Sequence, residues 1–251
     1  MERNLCLDAI VINTRKFGET NRIITLLTNE LGIIEVIIYG GQKSRKAIKP
    51  PLFSKGTFYL FYNPVKSQYS LKDALISNEI NLNGASYKTI LTASYFCELV
   101  NKTGKSDTEQ FFPLLQESLI ELSNIEDTPQ GIIKTNIVLI QFVWKLLFIA
   151  GLATDLTFCP ICNEEYNTKQ ILYFSNSIIS PCCINCRDNY DLILPPGARK
   201  YLHLTYSLSF KDSLSIPLTF VTSNRIRKYM IRYTQIYTDG NLKTVKSGLL
   251  E

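Results

Sequence analysis

Arg22-Ile23-Ile24-Thr25-Leu26-Leu27-Thr28-Asn29-Glu30-Leu31-Gly32-Ile33-Ile34-Glu35-Val36-Ile37-Ile38-Tyr39-Gly40-Gly41 is a pair of β-branched runs separated by one turn and closed by another. Branching at Cβ favours the pleated backbone, while Asn29 to Gly32 and Gly40-Gly41 supply turn chemistry. On the N-terminal side lies Ala9-Ile10-Val11-Ile12, beyond the turn Phe17-Gly18-Glu19. On the C-terminal side lie Thr57-Phe58-Tyr59-Leu60-Phe61-Tyr62 and the stretch 69–76, divided by Asn63-Pro64. Five strands within residues 1–80, spaced by about ten residues, predict a small closed barrel or a sandwich. The basic, proline-containing loop from Gly40 to Gly56 is expected on the surface.

After Asn83-Gly84 the period becomes helical. Ile90, Ala93, Cys97 and Val100 predict one helix. Phe111, Leu115, Leu119 and Leu122, with Asp107 as the cap, predict a second. Thr128-Pro129, an N-cap followed by proline at the first helical position, opens a third. In that helix Ile133, Ile137, Ile140, Trp144 and Leu147 form one stripe, and Lys134, Gln141 and Lys145 occupy a narrow polar line. Such a helix is surrounded by protein on most sides, with Gly151 expected at its end. Two lysines, Asn136 and Gln141 within 131–153 argue against a membrane span. Helix is predicted again after Pro195-Pro196-Gly197 and over 224–238.

Cys159-Pro160-Ile161-Cys162 and Cys183-Ile184-Asn185-Cys186 stand 20 residues apart around a strand-like segment, Ile171-Leu172-Tyr173-Phe174. Two intervening residues let the backbone turn tightly enough to aim both sulfurs at one ion. Two such turns complete a tetrahedral thiolate cage, for which Zn²⁺ is the usual occupant; buried free thiols are the alternative. Cys182 also has an allowed spacing to Cys186, whereas Cys183 makes the symmetric pair. Four thiolates leave no coordination position for water, so one structural Zn²⁺ per chain is expected. Cys6 and Cys97 sit in apolar runs and read as core residues.

The chain has 251 residues, 45% hydrophobic and 20% charged, a globular composition long enough to bury a core without disulfides. Seven cysteines, and an opening Met1-Glu2-Arg3-Asn4-Leu5-Cys6 without an apolar signal segment, predict a reducing cytoplasmic setting. A single histidine, His203, weakens every mechanism built on imidazole, and its neighbours Leu204-Thr205 do not make the His-x-Glu of zinc deaminases. Gly104-Lys105-Ser106 has Leu99 where a phosphate loop requires glycine, and Gly40-Gly41-Gln42-Lys43-Ser44 fails the same template. No enzymatic activity is expected.

The net charge is only +5, but it is polarised. Residues 1–80 carry 11 basic and 7 acidic side chains, and 191–251 carry 9 and 4, whereas 81–158 carry 5 and 8. No acid occurs between Val36 and Lys72. Arg15, Lys16 and Arg22 flank one barrel turn, and Lys43, Arg45, Lys46, Lys49 and Lys55 share the long loop. Tyr39, Phe53, Tyr59, Phe61, Tyr62 and Tyr69 are interleaved with them. Cations that neutralise phosphates beside rings that stack on bases suit a single nucleic-acid strand. The bland alternative is a solvated lysine-rich loop, with half of the rings facing the core. In the last helix Arg225, Lys228 and Arg232 share a face opposite Ile226, Met230, Tyr233 and Tyr237, as an anion-binding surface or an ordinary charged face.

Taken in order, these segments resemble the RecO family of bacterial DNA repair and recombination proteins. The resemblance lies in Ala9 to Glu19, in Ile23-Ile24-Thr25-Leu26-Leu27-Thr28 with Gly32 and the basic segment after Gly40, in the two cysteine knuckles after a long apolar helix, and in Tyr237 to Ser247. It implies an α+β multidomain protein: an OB-fold barrel over 1–80, a helical domain over 81–157 and 191–251, and a four-cysteine zinc-binding module inserted at 158–190. It further implies binding of single- and double-stranded DNA, strand annealing, and cooperation with RecR and single-stranded DNA-binding protein in loading RecA. Ile179-Ser180-Pro181-Cys182 departs from the family, which tends to have glycines there. An adaptor that contacts acidic protein tails, with no direct nucleic-acid role, is the alternative.

Overall fold

The computed structural model describes residues 3–44, 47–103, 108–153, 156–188 and 192–247. Two compact units divide the chain after Asn124.

In the first unit, β1 (Asn4–Phe17), β2 (Asn21–Thr28), β3 (Ile33–Ile38), β4 (Lys55–Asn63) and β5 (Gln68–Ile76) close a barrel in the order β1-β2-β3-β5-β4. Closure works because β1 is long enough to serve two partners. Residues 4–10 pair with β4 and residues 9–17 with β2, with an irregularity between Val11 and Asn13 that bends the strand. A parallel pairing of β3 with β5, at Val36–Tyr69 and Ile37–Ser70, completes the ring and gives the OB-like topology. Leu7, Ala9, Val11, Ile24, Leu26, Val36, Ile38, Phe58 and Leu60 fill the interior. Helices α1 (Tyr87–Thr103) and α2 (Thr108–Ser123) pack on β1 and β2 from outside. Both faces of β2 are therefore covered, which is why Ile23 to Leu27, apolar but for the buried Thr25, does not alternate. Asp107, the expected cap of α2, and Gly104-Lys105-Ser106 lie outside the described residues.

The loop between Gly40 and Gly56 departs from expectation. Its end, residues 52–54, is tied into the barrel although Ile48, Lys49 and Pro51 are exposed. Phe53 N donates to Val11 O and Val11 N to Ser54 O, both at 2.9 Å, so the segment attaches beside the β1 irregularity. Pro50, Phe53 and Ser54 are buried, and Ala47 and Leu52 pack against the barrel core. Apolar residues within a loop bury when a strand distortion frees backbone groups to receive them.

The second unit is built on α3 (Pro129–Ile149). Thr128 caps it as expected, its Oγ1 accepting from Gly131 N at 3.0 Å. α4 (Pro196–Tyr206), α5 (Phe210–Leu214) and α6 (Phe220–Tyr237) pack around it, and α7 (Lys243–Lys246) follows. By length and composition α3 is long and apolar enough to cross a membrane, but two-thirds of its most apolar window is buried inside the protein. Its polar residues serve its neighbours. Asn136 Nδ2 donates to Ser223 Oγ and Asn224 Oδ1, both at 3.2 Å. Gln141 Nε2 reaches Thr205 Oγ1, and Trp144 Nε1 donates to Leu202 O. Lys145 Nζ donates to the carbonyls of Thr205, Tyr206 and Leu208, placing a cation on the end of α4 where helix carbonyls lack partners.

Candidate metal centre and nucleic-acid interface

Two short devices bring the cysteines together. In the first, Cys159 N donates to Glu164 O and Asn163 N to Cys159 O, while Phe158 bridges to Glu165; Asn163 takes φ +60 to close the turn. In the second, β6 (Tyr173–Ser175) and β7 (Ser180–Cys182) form a hairpin that delivers Cys183 to a 3₁₀ turn, Ile184–Cys186. Asp188 locks the hairpin, accepting from Asn176 N at 2.6 Å, Ser177 N at 3.1 Å and Ser175 Oγ at 3.1 Å. The backbone donors of Ser177 and Asn176 hold its carboxyl below the usual carboxylate range.

The Sγ atoms of Cys159, Cys162, Cys183 and Cys186 all lie within 4.8 Å of one another. Those of Cys162 and Cys183 are 3.7 Å apart. A tetrahedron with Zn–S bonds of about 2.3 Å has edges of about 3.8 Å, so the spacing fits a thiolate-caged ion. Burial pushes the Cys159 thiol up, but donors at Cys183, Cys162 and Ile161 outweigh it and bring the thiol down to about 6. Cys183 is pushed up by burial and Cys186 by its sulfur neighbour Cys183. Four thiols in contact cannot all ionise unless a cation compensates them, which is the chemistry a divalent metal supplies. Cys182, at the end of β7, is buried beside this group but stands outside the four.

The surroundings tie the centre to the helices. Tyr166, buried, lies against Cys159, and burial together with that sulfur pushes its phenol up. Arg199 on α4 stacks on Tyr166 with its guanidinium carbon 5.7 Å from the ring centre, and its Nη2 donates to Asn167 O at 2.6 Å. Tyr233 on α6 directs its hydroxyl to Ile179 O at 2.7 Å and Leu152 O at 2.9 Å. Ile179 stands at φ +51, a left-handed conformation that a β-branched residue rarely adopts. Tyr166, Asp188 and Arg199 do not stand out in the sequence, and Tyr233 stands out only as a packing residue, because each acts through a backbone carbonyl, a backbone amide or a neighbouring ring.

The basic residues divide by environment. Arg15 faces outward and makes a two-pronged contact with Glu35, at 2.9 and 3.1 Å, so a carboxylate already compensates it. Lys16 pairs across the hairpin with Arg22, which pairs with the core residue Ile38. These two side chains therefore lie on the interior side of the sheet, at the barrel mouth, Lys16 exposed and Arg22 half-buried. Lys43 and Lys49 are exposed; Arg45 and Lys46 lie outside the described residues. On α6, Arg225, Lys228 and Arg232 are exposed while Ile226, Met230 and Tyr233 are buried. Arg227, one residue off the stripe, turns inward. Among the rings, Tyr39 is exposed, Tyr59 is partly so, Phe53 is buried, and Tyr62 packs on Tyr69 with ring centres 4.9 Å apart.

Residues 1–78 match the family model described as recombination protein O N terminal, and residues 85–246 the model described as recombination protein O C terminal. The chain belongs to the RecO family. It is 29% identical to the DNA repair protein RecO of Bacillus pumilus, over 95% of this chain and 91% of that one. It is 28% identical to the RecO of Bacillus subtilis over 94% and 91%, and 27% identical to that of Listeria monocytogenes over 95% and 91%. RecO membership agrees with the barrel, the helical unit and the cysteine cluster, each of which stands on its own geometry.

Proposed function

We propose that the chain is a non-enzymatic recombination mediator. It binds single- and double-stranded DNA, anneals complementary strands and, with RecR, helps load RecA onto DNA coated with single-stranded DNA-binding protein. The broader role in DNA repair and recombination rests on membership of the RecO family. The finer role rests on charge. Annealing requires two phosphate backbones to approach while their base edges stay free to pair. The observation that carries this reading is the stripe Arg225, Lys228 and Arg232, displayed on α6 by the burial of the opposite face. Lys16, Arg22, Lys43 and Lys49 supply cations on the barrel, with Arg45 and Lys46 on the same loop. Such contacts release counterions, so affinity falls steeply with salt.

In this reading the four cysteines hold one structural Zn²⁺, which neutralises the thiolates and pins residues 158–190, and the protein works in the cytoplasm at the nucleoid. The test is annealing of complementary oligonucleotides, with and without single-stranded DNA-binding protein. Acceleration in both settings is expected; no acceleration in either would overturn the proposal.

Phe158, Ile161 and Ile184, exposed on the two cysteine turns, favour a second reading in which the module is a protein-docking adaptor without direct nucleic-acid contact. Filter binding of labelled single-stranded DNA separates the two, since an adaptor alone retains little.

A further inference from the structure

Four thiolates around one divalent ion leave negative charge over, and charge taken out of water needs a partner. The cysteine turns do not supply one at their surface. Glu164, Glu165 and Asp188 add to the negative charge, and Lys169 and Arg187 stand exposed to solvent. Arg199 on α4 is different, being only 8% exposed. It meets no carboxylate, since the ion pairs among the described residues join Arg15 to Glu35 and Lys55 to Glu79. Its Nη2 donates to Asn167 O, while its Nη1 is buried with nothing to bond. A guanidinium buried in this way calls for an anion close by.

Tyr166 touches both Arg199 and the cage. Across the first cysteine turn Phe158 bridges to Glu165, Tyr166 N donates to Thr157 O at 2.8 Å, and Cys159 N donates to Glu164 O at 2.9 Å. In that register Cys159 and Tyr166 fall on one face as diagonal neighbours, within reach of an aromatic side chain. The ring carries the Arg199 guanidinium, with its carbon 5.7 Å from the ring centre. The hydroxyl is buried and finds no nitrogen or oxygen partner, and the sulfur that bears on it most is that of Cys159. A phenol and a guanidinium are thus enclosed beside the cage, each with a donor that has no acceptor of its own, which is rare in a folded protein.

We propose that Tyr166 and Arg199 are the outer shell of the metal centre: the Tyr166 hydroxyl donates to the Cys159 thiolate when the ion is bound, and the Arg199 guanidinium, held on the ring, offsets the charge of the cage. Both are positioning residues. The hydrogen bond and the cation stabilise the thiolate on which the ion depends. Because Tyr166 belongs to the cysteine turn and Arg199 to α4, the same pair fastens the metal module to the helices. The proposal rests on the reading that the four cysteines hold an ion, and it adds the residues that retain it.

The test uses the full chain, loaded with Co²⁺ to read the sulfur-to-metal absorption and with Zn²⁺ in competition with a chromophoric chelator. Tyr166→Phe removes the hydroxyl alone. It should move the sulfur-to-cobalt band to lower energy, since the sulfur electrons lose a donor that stabilised them, and weaken Zn²⁺ retention by roughly 10- to 100-fold. In the metal-free chain the same variant should leave the thermal midpoint unchanged or raise it, because the deleted hydroxyl has no partner there. Arg199→Lys, which keeps the charge, should retain Zn²⁺ better than Arg199→Met. An unmoved band with unchanged retention in Tyr166→Phe would overturn the proposal. So would equal losses of stability with and without metal, the mark of a packing residue, or equal retention in the two Arg199 variants. A wild-type chain that takes up neither Co²⁺ nor Zn²⁺ would overturn it together with the metal reading beneath it.

Discussion

Arg15 and Lys16 are neighbours in the sequence and look equivalent there, but they point to opposite faces of β1. Only Arg15 meets a carboxylate, because the β1-β2-β3 register brings Glu35 within reach from two strands away. Arg15→Ala should therefore change DNA affinity less than Lys16→Ala, and Glu35→Ala should strengthen binding by freeing the guanidinium; a titration of the three variants checks the order. Tyr233 is a second case. Its single hydroxyl proton serves Ile179 O and Leu152 O, and Tyr233→Phe leaves both carbonyls without it. A loss of about 1–3 kcal/mol is expected in chemical denaturation. At this scale the four cysteines were legible, because two-residue spacing is itself the geometry of a metal turn. Glu35 and Asp188 were not, and Tyr233 was legible only as packing, since their partners lie far along the chain and are set by strand register or hairpin closure.

Elements long enough to show a period were readable. The five strands, α1 and α3 fall where apolar spacing puts them, and α6 begins one turn earlier than expected, at Thr219 as cap. The five-residue α5 and four-residue α7 carry too few turns to show periodicity. The polar line of α3 is the instructive case. Lys134, Gln141 and Lys145 occupy one narrow line in the sequence, and Gln141 and Lys145 bring it to the last turn of α4. A long polar side chain can solve another helix's end instead of its own solvation. Lys145→Met, close in volume, strands three carbonyls at that end. It should lower stability by about 1–3 kcal/mol, seen as a drop of several degrees in thermal midpoint.

At the scale of the whole molecule, the two compact units should respond separately to loss of metal. Stripping the ion with a strong chelator is expected to raise amide exchange across 158–188 and at the end of α6, where Tyr233 holds Ile179. The barrel strands should keep their protection; loss of protection there as well would contradict it. If cations on the barrel mouth and on α6 hold the phosphates, the salt dependence of single-strand binding must show both. For wild type, log affinity should fall linearly with log salt. Replacing Arg225, Lys228 and Arg232 by alanine should make that slope shallower by about 2, at about 0.7 for each phosphate no longer neutralised. Replacing Lys16, Lys43 and Lys49 should produce a further, separate decrease. A slope identical to wild type in both variants would mean that neither surface holds phosphate.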